Sequence, residues 1–193
     1  MYNIPYFKAN NPSDVISFMK ENPFITLIGV DANQQPVATQ IPILIKEKKG
    51  KLYLQGHLMR KQDHTLAFEQ NPNVLAIFTS NHAYVSASWY VNPQAASTWN
   101  YKSVHAKGII HFMESDGLYD LLVELTNHFE KDEDSPAAVK HLSKDYVRDN
   151  MKAIVGIEIE ITAIQHVFKL SQNRDEASKQ NIKDKIGTDL VSD

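Results

Sequence analysis

Residues 84–108, YVSASWYVNPQAASTWNYKSVHAKG, concentrate the side chains of this sequence that could do chemistry. Both tryptophans of the chain lie here, Trp89 and Trp99, each followed within two residues by a tyrosine, Tyr90 and Tyr101. Ser86, Ser88, Thr98 and Asn100 are interleaved with these rings, and His105 follows. Hydroxyls and amides bind phosphate or sugar-alcohol oxygens, and aromatic faces stack on a flat heterocycle or wall it in. The same rings also suit a tryptophan-anchored core or a subunit contact.

Two further segments carry related chemistry. GHLMRKQDH places His57 at a strand end, with Arg60 and Lys61 just beyond, where a helix is expected to start. A cationic pair beside unsatisfied helix N–H groups suits a phosphate. From this segment alone a solvated basic helix start is the favoured reading. KLSQNR, residues 169–174, sets Lys169, Ser171, Gln172 and Asn173 where the last strand gives way to a helix. It also reads as a helix N-cap, with Ser171 or Asn173 capping and Asp175 and Glu176 in the first turn. Taken together, the segments suit a flat, hydrogen-bonding, anionic small molecule.

Other chemistries lack their motifs. There is no G-x-G-x-x-G, Walker A or H-E-x-x-H, and Ser86 and Ser88 lack the glycine-flanked elbow of a hydrolase. His105 and His111 share a strand face, but without a third ligand in view no metal site is expected. The absence of cysteine removes disulfides, thiolate metal sites and cysteine nucleophiles. A net charge of −3 gives no general attraction to nucleic acid or anionic membrane. The opening MYNIPYFKANNP lacks the plan of a signal peptide, and no apolar run reaches membrane-spanning length. A cytoplasmic protein is expected.

The elements that must position these residues follow from the patterning. NNPSDVISFMKENP reads as a helix capped by Asn11 or Ser13 and ended by Pro23. Residues 24–30, 37–45 and 52–57 form a strand meander, with Pro42 marking an edge or bulge and KEKKGK a charged hairpin tip. A helix from Arg60 precedes a strand from Asn73 that continues as extended chain through residue 90. A long alternating strand from Thr98, helices near 115–151 and a final strand over 153–170 follow. A polar helix near 174–186 closes the chain. About six antiparallel strands with flanking helices make a small α+β barrel, a single domain over 1–193 with a helical insertion.

These segments, in this order, resemble the PaiB-type FMN-binding proteins, described as negative transcriptional regulators. AYVSASWY, TWNYKSVHAKG, AIVGIEIEIT and KLSQNR carry the resemblance, with MYNIPYF, ATQIP and GHLMRKQ before them. It covers residues 1–174 or so. It implies a split β-barrel like that of flavin reductases and pyridoxamine phosphate oxidases, in which two protomers build FMN sites across their interface. A cytoplasmic homodimer with FMN as cofactor is the expectation, with DNA a partner that the charge does not support. By motif position, His57, Arg60 and Lys61 would serve the cofactor, the latter two at its phosphate. Ser86, Ser88, Trp89, Tyr90, Thr98, Trp99 and Asn100 would line the pocket, and Lys169, Ser171, Gln172 and Asn173 would close it. The alternative is an FMN-dependent oxidoreductase, flavin reductase-like, with Tyr101 or His105 meeting a small-molecule substrate. Two features depart from the family pattern: Gln40 stands in ATQIP where a histidine is usual, and the 91–97 loop is shorter and less charged.

Overall fold

The computed structural model describes residues 1–132 and 134–192. Seven strands form one sheet: β1 Phe24–Val30, β2 Pro36–Pro42, β3 Leu44–Lys48, β4 Lys51–Met59, β5 Asn73–Val85, β6 Thr98–Phe112 and β7 Ile154–Lys169. Their order is β2-β1-β5-β6-β7-β4-β3. Five α-helices accompany them: α1 Pro12–Glu21, α2 Asp63–Gln70, α3 Ser115–Glu130, α4 Lys144–Met151 and α5 Glu176–Ile186.

The seventh strand comes from residues 37–45, which read as one strand but form two. β2 pairs with β1 from Pro36 to Pro42, whereas Leu44 begins a ladder with β4. Proline has no N–H to continue a ladder, and the next amide, Ile43 N, turns to donate to Pro23 O at 2.9 Å. β2 and β3 therefore end at opposite edges of the strand order although they adjoin in sequence. Gly56 on β4 makes the curl feasible. A Cβ there would stand 2.9 Å from Pro42 O.

Local sequence explains the ends of the elements. Asn11 and Asp14 form a capping box on α1 with Pro12 at the first helical position. Lys49 and Gly50, at φ 51° and 75°, make the two-residue turn joining β3 to β4. On β7, Ile157 and Ile159 are buried while Glu158 and Glu160 alternate with them and pair with Lys48 and Lys51 at 2.5 and 2.6 Å. Asp175, rather than Ser171 or Asn173, caps α5, accepting from Ser178 N at 2.8 Å.

The chain divides into two compact units, one of Met1–Asn22, Phe78–His105 and Gln165–Asp193, the other of Pro23–Ile77 and Ala106–Ile164. β5, β6 and β7 each run through both. The first unit buries Val85, Tyr90, Ile182 and Val191 as one cluster, with Trp89 and Ile186 packed against it. In the second, Leu121 and Leu125 of α3 bury against Leu44, and Ile25, Leu27, Leu54 and Phe68 are buried also.

Candidate functional site

In the first unit the start of β6 and the end of β7 bring two of the sequence segments together. Lys169 donates to Thr98 Oγ1, and its ammonium lies 5.7 Å from the centre of the Phe7 ring. Burial, and then the charge of Arg174, hold the Lys169 pKa below its usual value. Arg174 itself lies 3.9 Å above the Tyr90 ring. Two cations are thus placed where they disfavour each other, an arrangement an anion would relieve.

Asn100 and Ser171 meet as a buried pair. Asn100 Nδ2 donates to Ser171 Oγ at 2.9 Å and to Leu190 O at 2.8 Å, while Ser171 Oγ donates to Asn100 Oδ1 at 3.1 Å. Ser171 takes φ 64°, and Arg174 N bonds back to Ser171 O at 3.0 Å, so the segment turns sharply before α5. Gln172 braces the same turn. Its Oε1 accepts from Leu170 N at 2.7 Å, and its Nε2 donates to Phe168 O. These three side chains direct their polar groups inward, whereas Asn173 is exposed.

The two tryptophans differ. Trp89, in a 3-10 turn, packs on the Val85–Tyr90–Ile182 cluster and its carbonyl accepts from Asn181 at 3.0 Å. Trp99 is 51% exposed, with the rings of His82 and Tyr84 at 5.5 and 5.7 Å. Ser86 caps the 3-10 turn and its hydroxyl lies 2.9 Å from that of Ser88. The Tyr90 hydroxyl is buried without a hydrogen-bond partner among the described residues. His105 is half-buried, and burial lowers its pKa, as it raises that of Tyr101.

In the second unit, His57 pairs across the ladder with Gly156. Its Nδ1 is buried and unpartnered, and burial lowers the pKa of the ring. Such an orphaned group costs about 1–3 kcal/mol unless something meets it. Arg60 and Lys61 do not begin a helix. They form a turn in which Lys61 has φ 60° and Arg60 N bonds to Ala153 O at 2.8 Å. α2 starts at Asp63, whose carboxylate accepts from His64 N at 2.7 Å and so takes the place near the helix start. Gln40 is exposed on the edge strand β2.

Sequence reasoning gave no role to Arg174, though it is the last letter of KLSQNR; its signal was a cation two residues before a helix. Phe7, beneath Lys169, carried none. The donor set present, with cations, hydroxyls and an exposed indole, fits a planar anionic group bearing hydroxyls. Among the described residues no three histidine, aspartate or glutamate side chains gather as a metal site, and no helix is long and apolar enough to cross a membrane.

A curled antiparallel sheet of seven strands with this order defines a split β-barrel protein. Residues 1–163 match the family described as "Putative FMN-binding domain", and the chain belongs to that family. It is similar to protease synthase and sporulation protein PAI 2 of Bacillus subtilis (strain 168), with 35% identity over 182 residues, 94% of this chain and 87% of that one. Among solved structures, the FAD and heme binding protein from Mycobacterium smegmatis superposes with a TM-score of 0.63 at 17% identity, covering 92% of this chain and 79% of that one. A conserved hypothetical protein from Mycobacterium tuberculosis gives 0.60 at 14% identity, covering 86% and 89%. At such identities the structures speak for the fold alone.

Proposed function

We propose that this chain binds FMN and acts as a PaiB-like negative regulator of transcription, as a cytoplasmic homodimer with one flavin per chain. Family membership supports the cofactor, and the Bacillus relative, named for protease synthesis and sporulation, accords with a regulatory role. The observation that carries the reading is the half-buried Lys169, bonded to Thr98 and disfavoured by Arg174, in a unit that also offers Trp99 and the hydroxyls of Ser86 and Ser88.

In this reading Arg60 and Lys61 hold the phosphate. Lys169 and Thr98 give hydrogen bonds to polar edges of the ligand. Ser86, Ser88, Trp89, Tyr90 and Trp99 form its walls, and His57 offers its unpartnered Nδ1. Asn100, Ser171 and Gln172 act at one remove, by fixing the turn that aims Lys169, and Asn173 closes the rim. When bound, FMN supplies redox chemistry of its own, and the protein contributes orientation and electrostatics. The net charge of −3 favours regulation through a protein partner or flavin sensing over a broad DNA contact.

Calorimetric titration of the apo-protein with FMN, sized in parallel by light scattering, tests this. One FMN per chain on a dimer is expected. Arg60→Ala should weaken FMN roughly ten-fold, about 1.4 kcal/mol, and riboflavin far less. Equal loss for both ligands would remove Arg60 from the phosphate. Sustained bleaching of the flavin by a reduced nicotinamide, with turnover of a small acceptor, would replace the regulator with the oxidoreductase reading.

A further inference from the structure

A cavity of about 740 Å³ lies within the second unit, among α3, α4 and the segment joining them. Its apolar surface comes from Leu118 of α3, Leu142 before α4, and Val147 and Met151 of α4. Cations surround that surface: Arg60, Lys140, Lys144, Arg148 and Lys152 all line the cavity, and among the described residues no carboxylate does. Lys140, Arg148 and Lys152 also pair with Asp134, Asp145 and Asp149 at 3.0, 2.8 and 2.7 Å. Arg60 and Lys144 form no ion pair among the described residues.

The volume falls within the range of about 300–1,000 Å³ typical of small-molecule sites. An apolar floor gives water poor partners and gains from an apolar guest. The charge of the lining then selects the sign of the guest's head group, because Arg60 and Lys144 can each give an anion a charge-assisted hydrogen bond. Neither a neutral lipid nor a cation meets both conditions. A polar anion such as inorganic phosphate would leave the floor uncovered.

We propose that this cavity is a binding site for an amphipathic organic anion, a carboxylate with an apolar body of medium-chain size, lying over Leu118, Leu142 and Val147 with its head group at Lys144. The flavin reading shares Arg60 with this cavity but draws on no other residue of its lining.

The full-length protein is titrated with decanoate by calorimetry, with decanol as the uncharged control, and then with FMN. One decanoate per chain is expected, bound roughly ten-fold more tightly than decanol. Leu142→Asp puts a like charge on the floor and should weaken decanoate at least about ten-fold; Lys144→Glu should weaken it roughly five-fold or more. Both positions are solvent-accessible, so the fold is expected to tolerate these changes, and FMN affinity should stay within about two-fold as a check on integrity. Absence of saturable decanoate binding would overturn the proposal, as would equal affinity for decanol or indifference to both substitutions. Displacement of decanoate by FMN would make the cavity part of a flavin site. A concentration-dependent dimer that Leu142→Asp dissociates would make it an interface between copies. Either result would also sink the proposal.

Discussion

Asn100 is fully buried, and its amide joins the start of β6 to the turn after β7 and to the carbonyl of Leu190. Truncating it leaves the buried Ser171 Oγ and the part-buried Leu190 O without their partner. Each buried group so stranded costs about 1–3 kcal/mol, so Asn100→Ala is expected to destabilise the fold by about 2–4 kcal/mol in urea unfolding. Ser171→Ala removes a smaller share, because Leu190 O keeps its donor. If the two substitutions cost the same and add without coupling in a double-mutant cycle, the pair is not a unit. Lys169 differs in kind. Its half-buried ammonium is disfavoured by burial and Arg174, so Lys169→Met should cost little stability while weakening FMN roughly ten-fold. A calorimetric comparison of the two effects separates ligand contact from structural support.

At the scale of elements, the sheet depends on close backbone approaches that glycine alone permits. A Cβ on Gly108 of β6 would stand 2.6 Å from Glu160 O and 2.5 Å from Ile159 Cγ2 on β7. On Gly56 of β4 it would meet Pro42 O at 2.9 Å, where the chain leaves one sheet edge for the other. Backbone oxygens cannot swing aside as side-chain ends do, so overpacking here costs about 1–3 kcal/mol. Gly108→Ala should lower the melting temperature most and Gly56→Ala somewhat less. Gly50→Ala has open space and only its φ of 75° against it, and should cost about 1–2 kcal/mol. A Gly108→Ala protein that melts like the parent would show that the strands separate there at no cost.

Across the whole molecule, three histidines share a behaviour that makes stability pH-dependent. Burial lowers the pKa of His57, His105 and His166. The neutral His166 ring is further employed, since its Nε2 accepts from Ala9 N at 2.9 Å. Each folded pKa lies below the unfolded value of about 6.5, so in the window below 6.5 the unfolded chain binds more protons. The contribution of these groups is therefore full above pH about 6.5 and is lost as pH falls toward the folded values. Glu158 and Glu160, whose pKa values are lowered from 4.5 with Lys48 and Lys51 as partners, act in the same direction at lower pH. Melting temperature should fall between pH 7 and 5, and fall further below about 4.5. His166→Gln, which retains an acceptor for Ala9 N but cannot be protonated, should flatten the first step. An unchanged profile in that variant would remove His166 from the effect.

Local sequence determined most of the elements. The capping box at Asn11, the Lys49–Gly50 turn, the alternation of isoleucine and glutamate on β7 and the leucines of α3 act through neighbours in the chain, so periodicity and turn chemistry reveal them. The motif order likewise carried the family. Tertiary structure alone decided the rest. That residues 37–45 divide between opposite sheet edges depends on which strands Thr39 and Leu44 meet, and pairing partners are non-local. Whether Asn100, Ser171 and Gln172 face a ligand or one another depends on β6 lying where β7 ends, and their identities suit both roles. The cavity among α3 and α4 had no motif at all; packing alone set apolar and cationic side chains around a shared space.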